Sequence, residues 1–287
     1  MVSNLLSHIK QVAECPSFST YEERLHPYIY SVFESITDDE LIVEGNNLVF
    51  RLGNNPNKPT IALTAHLDKI NHYGKDYPDL LPVAITDHYI EGAMDNSVGV
   101  GLLLYFAGKA KENPSWPNLL FFFSEMEESK GLKEHPDLLK NNGKDFDHGM
   151  GARRIAQACI DKDWLPDQVI TLDTTPLFKG KQGIALYAKH WELNGLEETE
   201  SLRLITEQVV QNFLAIDSTI QLHNNTNDYL HYGYEFNAHT GKDIISIALE
   251  PAIYPYHQKG ERVFIEDLMQ LVQILKAYLK YNDKLRK

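Results

Sequence analysis

The side chains of this chain that could do chemistry are imidazoles and carboxylates placed where apolar runs stop. Thr60 to Asp68, T-I-A-L-T-A-H-L-D, is a β-branched run ending in His66 and Asp68. Glu91 to Ala107 opens E-G-A-M-D-N-S, which puts Asp95 just ahead of a helical pattern. Leu119 to Ser124 runs straight into Glu125-Met126-Glu127-Glu128, and the β-like run from Val169 stops at Asp173. A last β-like run, Ile244 to Leu249, precedes Tyr254-Pro255-Tyr256-His257. Imidazole nitrogen with carboxylate oxygen is a ligand set suited to zinc, whereas all-oxygen cages favour calcium or magnesium. Adjacent Glu127 and Glu128 point in different directions, so one could hold metal while the other moves protons. Each ending also has a plainer reading: a loop histidine, a turn-forming aspartate, an N-cap at Asp95, a solvated acidic turn. Asp95 could instead be a carboxylate held at a strand-to-helix turn, offering an oxygen to each of two cations. A common address separates the readings. Asp68, Asp95, Glu127, Glu128 and Asp173 gathered at one sheet rim cannot all stay ionised without cations.

The elements that must position these groups follow from patterning. Ile61 to Ala65 is nearly continuous in apolar residues, as an interior parallel strand covered on both faces should be. In open α/β sheets ligands sit outside the carboxyl ends of such strands, which is where His66 and Asp68 stand. Leu5, Ile9 and Val12 recur at helical spacing, and Tyr21 to Phe33 repeats that pattern with Ser19 and Thr20 as caps. Leu41 to Leu52 reads as a hairpin around Gly45-Asn46-Asn47, Lys69 to Leu81 as a loop, and Val83 to Ile90 as a strand. Leu202 to Phe213 is amphipathic. The expected fold is one α/β domain over residues 1–287: a three-layer α/β/α sandwich with a mixed, mostly parallel central sheet.

Composition excludes several classes. With 287 residues, 43% hydrophobic and 23% charged, the chain is an ordinary globular protein with enough length for a substantial core. A net charge of −13 argues against nucleic acid or anionic membrane as a partner. Two cysteines, Cys15 and Cys159, make no disulfide framework, and the first residues are too polar for a signal-peptide core. The expected location is therefore the cytoplasm.

Taken in order, A-H-L-D, A-M-D-N, E-E, L-D-T-T and Y-H-Q-K-G-E-R-V resemble the co-catalytic di-zinc exopeptidases, in particular the single-domain aminopeptidases of the peptidase family M28 type. The resemblance runs from about Asn46 to the carboxyl terminus. It implies two zinc ions, with manganese or cobalt as substitutes. It assigns His66 and Asp173 to one ion, Glu128 and His257 to the other, and Asp95 as the bridge. Asp68 would orient His66, and Glu127 would be the general base. The implied reaction is removal of amino-terminal residues from a peptide with a free amino terminus. The alternatives are a carboxypeptidase or amide deacylase on the same scaffold, which would need a cationic anchor such as Arg153, Arg154 or Arg203, and a homologue that binds metal without catalysis. The family's glycine-rich passage after the second glutamate is replaced here by a polar stretch, read as a loop insertion at 132–150. Of the remaining histidines, His231 in N-D-Y-L-H-Y-G is, with Tyr229, a candidate substrate contact.

Overall fold

The computed structural model describes residues 2–37, 39–76, 78–189, 191, 195, 197–224 and 229–282. In chain order the central strands are β1 (Glu40–Leu41), β2 (Leu48–Leu52), β3 (Thr60–His66), β6 (Asn118–Ser124), β7 (Gln168–Leu172), β8 (Ile184–Tyr187), β9 (Gln221–His223) and β10 (Ile245–Pro251). Across the sheet they lie in the order β1, β2, β6, β3, β7, β10, β8, β9. The middle four, β6, β3, β7 and β10, are mutually parallel, while β2 and β8 pair antiparallel with β6 and β10 on either side. Every residue of β6, β7 and β10 is buried, which is why these stretches show no polar alternation.

Successive residues of the middle strands serve opposite helical layers. Ile61, Leu63, Phe121 and Phe123 share a core with α1 (Val2–Glu14), α2 (His26–Phe33), α3 (Ser97–Glu112), and two later helices, Glu200–Ile216 and Ile265–Asn282. Ala62, Leu120 and Phe122 pack instead with helices Met150–Asp161 and Tyr229–Thr240. A short α4 (Ser129–Glu134) precedes these, so the remaining helices are α5 (Met150–Asp161), α6 (Glu200–Ile216), α7 (Tyr229–Thr240) and α8 (Ile265–Asn282). Phe33 locks α2 to the sheet, stacked on Phe50 at 4.1 Å between centroids and edge-on to Phe121 at 5.4 Å. Each such pair adds about 0.5–1.5 kcal/mol beyond its buried area.

Two expectations need correction. The run from Val83 to Ile90 is not one strand but two, β4 (Ala84–Ile85) and β5 (Tyr89–Gly92), because Thr86 Oγ1 accepts from the amides of His88 and Tyr89 and turns the chain. Together with β11 (Glu261–Phe264) they form a separate antiparallel sheet in the order β11, β5, β4. Ser19 and Thr20 do not cap a helix. The turn at Glu22–Leu25 and α2 both start without a side-chain cap, and the two hydroxyls go elsewhere.

The small sheet and α3 set the positions that matter. β11 pairs Glu261 opposite Gly92, bringing the segment before β11 beside the segment after β5. The N-cap of α3 is Asn96 and not Asp95: its Oδ1 accepts from Gly99 N at 2.7 Å while its Nδ2 donates to Leu172 O at 2.9 Å. One amide side chain thus caps the helix and ties it to the end of β7, leaving Asp95 free. Gly99 is needed at this contact, since a Cβ there would stand 2.1 Å from Leu172 O. Gly99→Ala should therefore destabilise the fold by about 1–3 kcal/mol, read as a lower midpoint in thermal unfolding; an unchanged midpoint would show that the helix can move away freely.

Candidate metal centre

The carboxyl ends of β3 and β6 are joined by one side chain. Asp68 is fully buried, and its Oδ1 accepts from Glu127 N at 3.0 Å while its Oδ2 accepts from Glu128 N at 3.0 Å and from Ser19 Oγ at 2.8 Å. The same carboxylate stands 3.3 Å from His66 Nδ1, whose ring also faces Asp68 O at 3.1 Å. These contacts leave Nε2 as the ring atom turned toward the other acidic groups. Met126, just before the two glutamates, takes a left-handed φ of 54°, unusual for a residue with a side chain. Its amide donates to Glu22 Oε1 at 3.2 Å, so three consecutive amides after Glu125 each meet a buried carboxylate. Glu125 itself accepts from Asn46 N, Asn47 Nδ2 and Arg154 Nη1, an anchor away from the centre.

Around this frame the candidate ligand atoms gather. His66 Nε2 lies 3.2 Å from Asp95 Oδ1 and 3.6 Å from Asp173 Oδ2. His257 Nε2 lies 3.4 Å from the other Asp95 oxygen, Oδ2, and 3.4 Å from Glu128 Oε2. Glu127 Oε2 is 3.6 Å from His66 Nε2, and its side chain is more open than those of its neighbours. Seven side chains spread from position 66 to position 257 thus converge at one rim.

The whole arrangement can be set beside known proteins. The model of peptidase family M28 matches residues 47–280. The chain belongs to peptidase family M28. No curated protein sequence matches it significantly. Among solved structures, a TET aminopeptidase from the marine sediment archaeon Thaumarchaeota archaeon superposes with a TM-score of 0.69 at 12% identity, covering 99% of each chain. A tripeptidase from Staphylococcus aureus gives 0.67 at 13% identity over 99% of each chain. An aminopeptidase from Desulfurococcus kamchatkensis gives 0.65 at 15% identity over 100% of this chain and 98% of its own.

In this M28 peptidase the residues at the rim fit divalent metal. Imidazole nitrogens and carboxylate oxygens fall into three overlapping compact sets among the described residues, His66 with Asp95 and Asp173, His66 with Glu127 and Glu128, and Asp95 with Glu128 and His257. Glu128 Oε1 is buried without a hydrogen-bond partner among the described residues, an atom that a cation would satisfy. The charges tell the same story. Burial and the negative charge of Asp95 push Asp173 up to about 7 and Glu128 well above the carboxylate range. Burial also works against a charged Asp95, but hydrogen bonds from His257 and His66 outweigh it and hold that carboxyl below its usual range.

Two groups, Glu261 and His148, escaped the sequence reading, while Tyr256 was legible there as a residue flanking His257 that could line the pocket or pack its wall. Glu261 is buried and its Oε2 accepts from Met94 N at 2.9 Å and Asp95 N at 3.0 Å, while Oε1 accepts from His257 N at 3.0 Å. It therefore holds the backbone beneath both Asp95 and His257; the signal was the G-E-R-V that follows the last histidine. His148, at the end of the 132–150 segment, approaches Glu127 O through Nδ1 at 2.5 Å, with His231 Nε2 at 3.3 Å from its other nitrogen. His231 thus backs the centre at one remove, and the side chain of Tyr229 lies outside the described residues. Tyr256 stacks on His257 at 3.7 Å between centroids, and burial and the surrounding carboxylates keep its phenol protonated.

The two frame carboxylates can be tested apart from the ligands. Asp68→Asn and Glu261→Gln preserve volume but replace an acceptor oxygen by an NH2 that faces backbone N–H groups. Each should weaken divalent-metal affinity by roughly 10- to 100-fold in a chelator competition while the protein stays folded. Affinity unchanged in both variants would show that the frames do not orient the ligands.

Proposed function

We propose that this M28 peptidase is an aminopeptidase that holds two zinc ions, the first by His66, Asp173 and Asp95, the second by Glu128, His257 and Asp95. The observation that carries the reading is the division of Asp95: its two oxygens face two different imidazoles, at 3.2 Å and 3.4 Å. A carboxylate shared in this way suits a bridge between two cations. When bound, such ions act as Lewis acids and lower the pKa of a water to about 7. Glu127, half-exposed at the rim and braced through its carbonyl by His148, is the general base. It takes the proton of the attacking water and returns it to the departing amine. Asp68 keeps the His66 ring in place, and the protonated phenol of Tyr256 is a donor at the edge of the centre.

An acidic rim suits the free amine of a peptide. The arginines that a carboxypeptidase or deacylase would recruit are committed elsewhere: Arg153 to Asp147, Arg154 to Glu44 and Glu125, Arg203 to Glu207. The chain is read as one catalytic unit whose 132–150 segment reaches back to the centre through His148. Cys15 and Cys159 are free thiols and no described helix is long and apolar enough to cross a membrane, in keeping with the cytoplasm as its place.

Glu127 and Glu128 have different jobs in this reading. Glu127→Gln should lower hydrolysis by on the order of 10² to 10⁴ with metal content unchanged. Glu128→Gln should lose part of its metal, with activity partly restored by excess zinc. Because Glu127 also lies within reach of His66, metal analysis of the two variants decides the assignment, and the reverse pattern would exchange their roles.

Acetylation tests the substrate end. A peptide cleaved with its amino terminus free should resist once acetylated, followed by chromatography of the products. Equal cleavage of both would move the assignment to a deacylase or endopeptidase.

A further inference from the structure

A cavity of about 500 Å³ opens beside the candidate centre and shares Asp95 and Glu128 with it. Phe18, Ile70 and Tyr73 supply apolar wall, and β5 and the segment 258–261 close the opposite side. In a chain with a net charge of −13, the cations in this wall stand out. They are Lys69 and Lys259, with the imidazole of His72 beside them. Glu91 and Glu261 line it too, Glu91 paired with Arg262 Nε at 2.5 Å and Glu261 accepting from the amides of Met94, Asp95 and His257.

Lys69 is the informative residue. It is 2% exposed, and its ammonium donates to Ser17 Oγ at 2.6 Å. Among the described residues Nζ has no second hydrogen-bond partner and no carboxylate at ion-pair distance. An ammonium carries three donors, and leaving two unmet in a dry setting is costly. Lys259 is exposed yet fixed, its ammonium 4.4 Å from the centroid of the Tyr73 ring. His72 is half-buried, and burial together with the like charges of Lys130, His257 and Lys259 lowers its pKa. The two lysines make that wall electropositive, and His72 with its lowered pKa adds a hydrogen-bonding ring and no charge, while the floor at Asp95 and Glu128 is acidic. A substrate matched to both must carry an amine and, a few bonds away, a carboxylate.

We propose that the cavity is a subsite for a substrate carboxylate, received by Lys69, His72 and Lys259 while the free amine faces the acidic centre. This rests on the aminopeptidase reading and narrows it. The carboxylate has two sources, the side chain of an amino-terminal aspartate or glutamate, or the carboxyl terminus of a dipeptide.

Two matched pairs of substrates separate them. Glu-Ala-NH2 against Gln-Ala-NH2 varies only the side-chain charge, and Ala-Ala against Ala-Ala-NH2 varies only the terminal one. In one pair the carboxylate form should be preferred by about 10- to 100-fold in kcat/KM, the range for a charge-assisted hydrogen bond, and the responding pair names the source. Calorimetric binding of the same four compounds to the Glu127→Gln protein measures the preference without turnover. Lys69→Met and Lys259→Met should each bring the ratio toward one, and Lys259→Met lies at the surface, where the fold is not at stake. Ratios within about twofold of one for both pairs would overturn the proposal, as would ratios that neither lysine substitution changes. Then Lys69 merely balances the buried charges of Asp68 and Glu261. Failure of the enzyme to cleave any of the four, with the binding preference intact, would instead remove the aminopeptidase reading and leave the subsite.

Discussion

A carboxylate with no exposed surface stays charged only when donors surround it, and the ring of donors around Asp68 is what the rest of the centre hangs from. Two backbone amides, a serine hydroxyl and an imidazole converge on its two oxygens. Hydrogen bonds to a charged acceptor are worth roughly twice neutral ones, and losing one in a buried setting leaves the desolvation cost uncovered. The consequence is geometric. The end of β3, the turn after β6 and the segment around Ser19 can occupy only the arrangement in which all of these donors reach one carboxylate.

Glu261 repeats the device on the other side of the site. Its oxygens gather the amides of Met94, Asp95 and His257, so the small antiparallel sheet delivers the Asp95 carboxylate and the His257 imidazole as one unit. Between the two frames the ligands need little freedom of their own. His257, like Met126, adopts a left-handed backbone, with a φ of 55°. A conformation of that kind costs about 1–3 kcal/mol and persists where its surroundings over-determine it. Here the surroundings are the hydrogen bonds from the amides of those same two residues to Glu261 and Glu22.

Concentrating acids at one rim has a further effect on the molecule's surface. Burial, and after it the negative charge of Asp95, pushes Asp173 up to about 7 and Glu261 up to about 8. Cations are the physical answer to such crowding, whether bound ions at the floor or the lysines of the adjoining wall.

The sequence alone determined the fold class and the ligand candidates, because both have local signatures. Buried parallel strands must be apolar throughout, so β3, β6, β7 and β10 could be located, and the polar residue that ends each run identifies itself by contrast. The strand-end rule pointed to His66, Glu127, Glu128 and Asp173, while the inclusion of Asp95 and His257 as one set came from the resemblance of the ordered motifs to the di-zinc exopeptidases. What holds them there was not legible. Ser19 reaches Asp68 across 49 residues, Glu22 reaches Met126 across 104, and Glu261 reaches Asp95 across 166. A serine that satisfies a distant carboxylate looks, in its own neighbourhood, like a helix cap. Only tertiary structure decided these partners, since a hydrogen bond between remote segments depends on chain closure by the whole core and leaves no periodicity behind. The same holds for the cavity beside the centre: Lys69 reads as a loop lysine until the fold buries it.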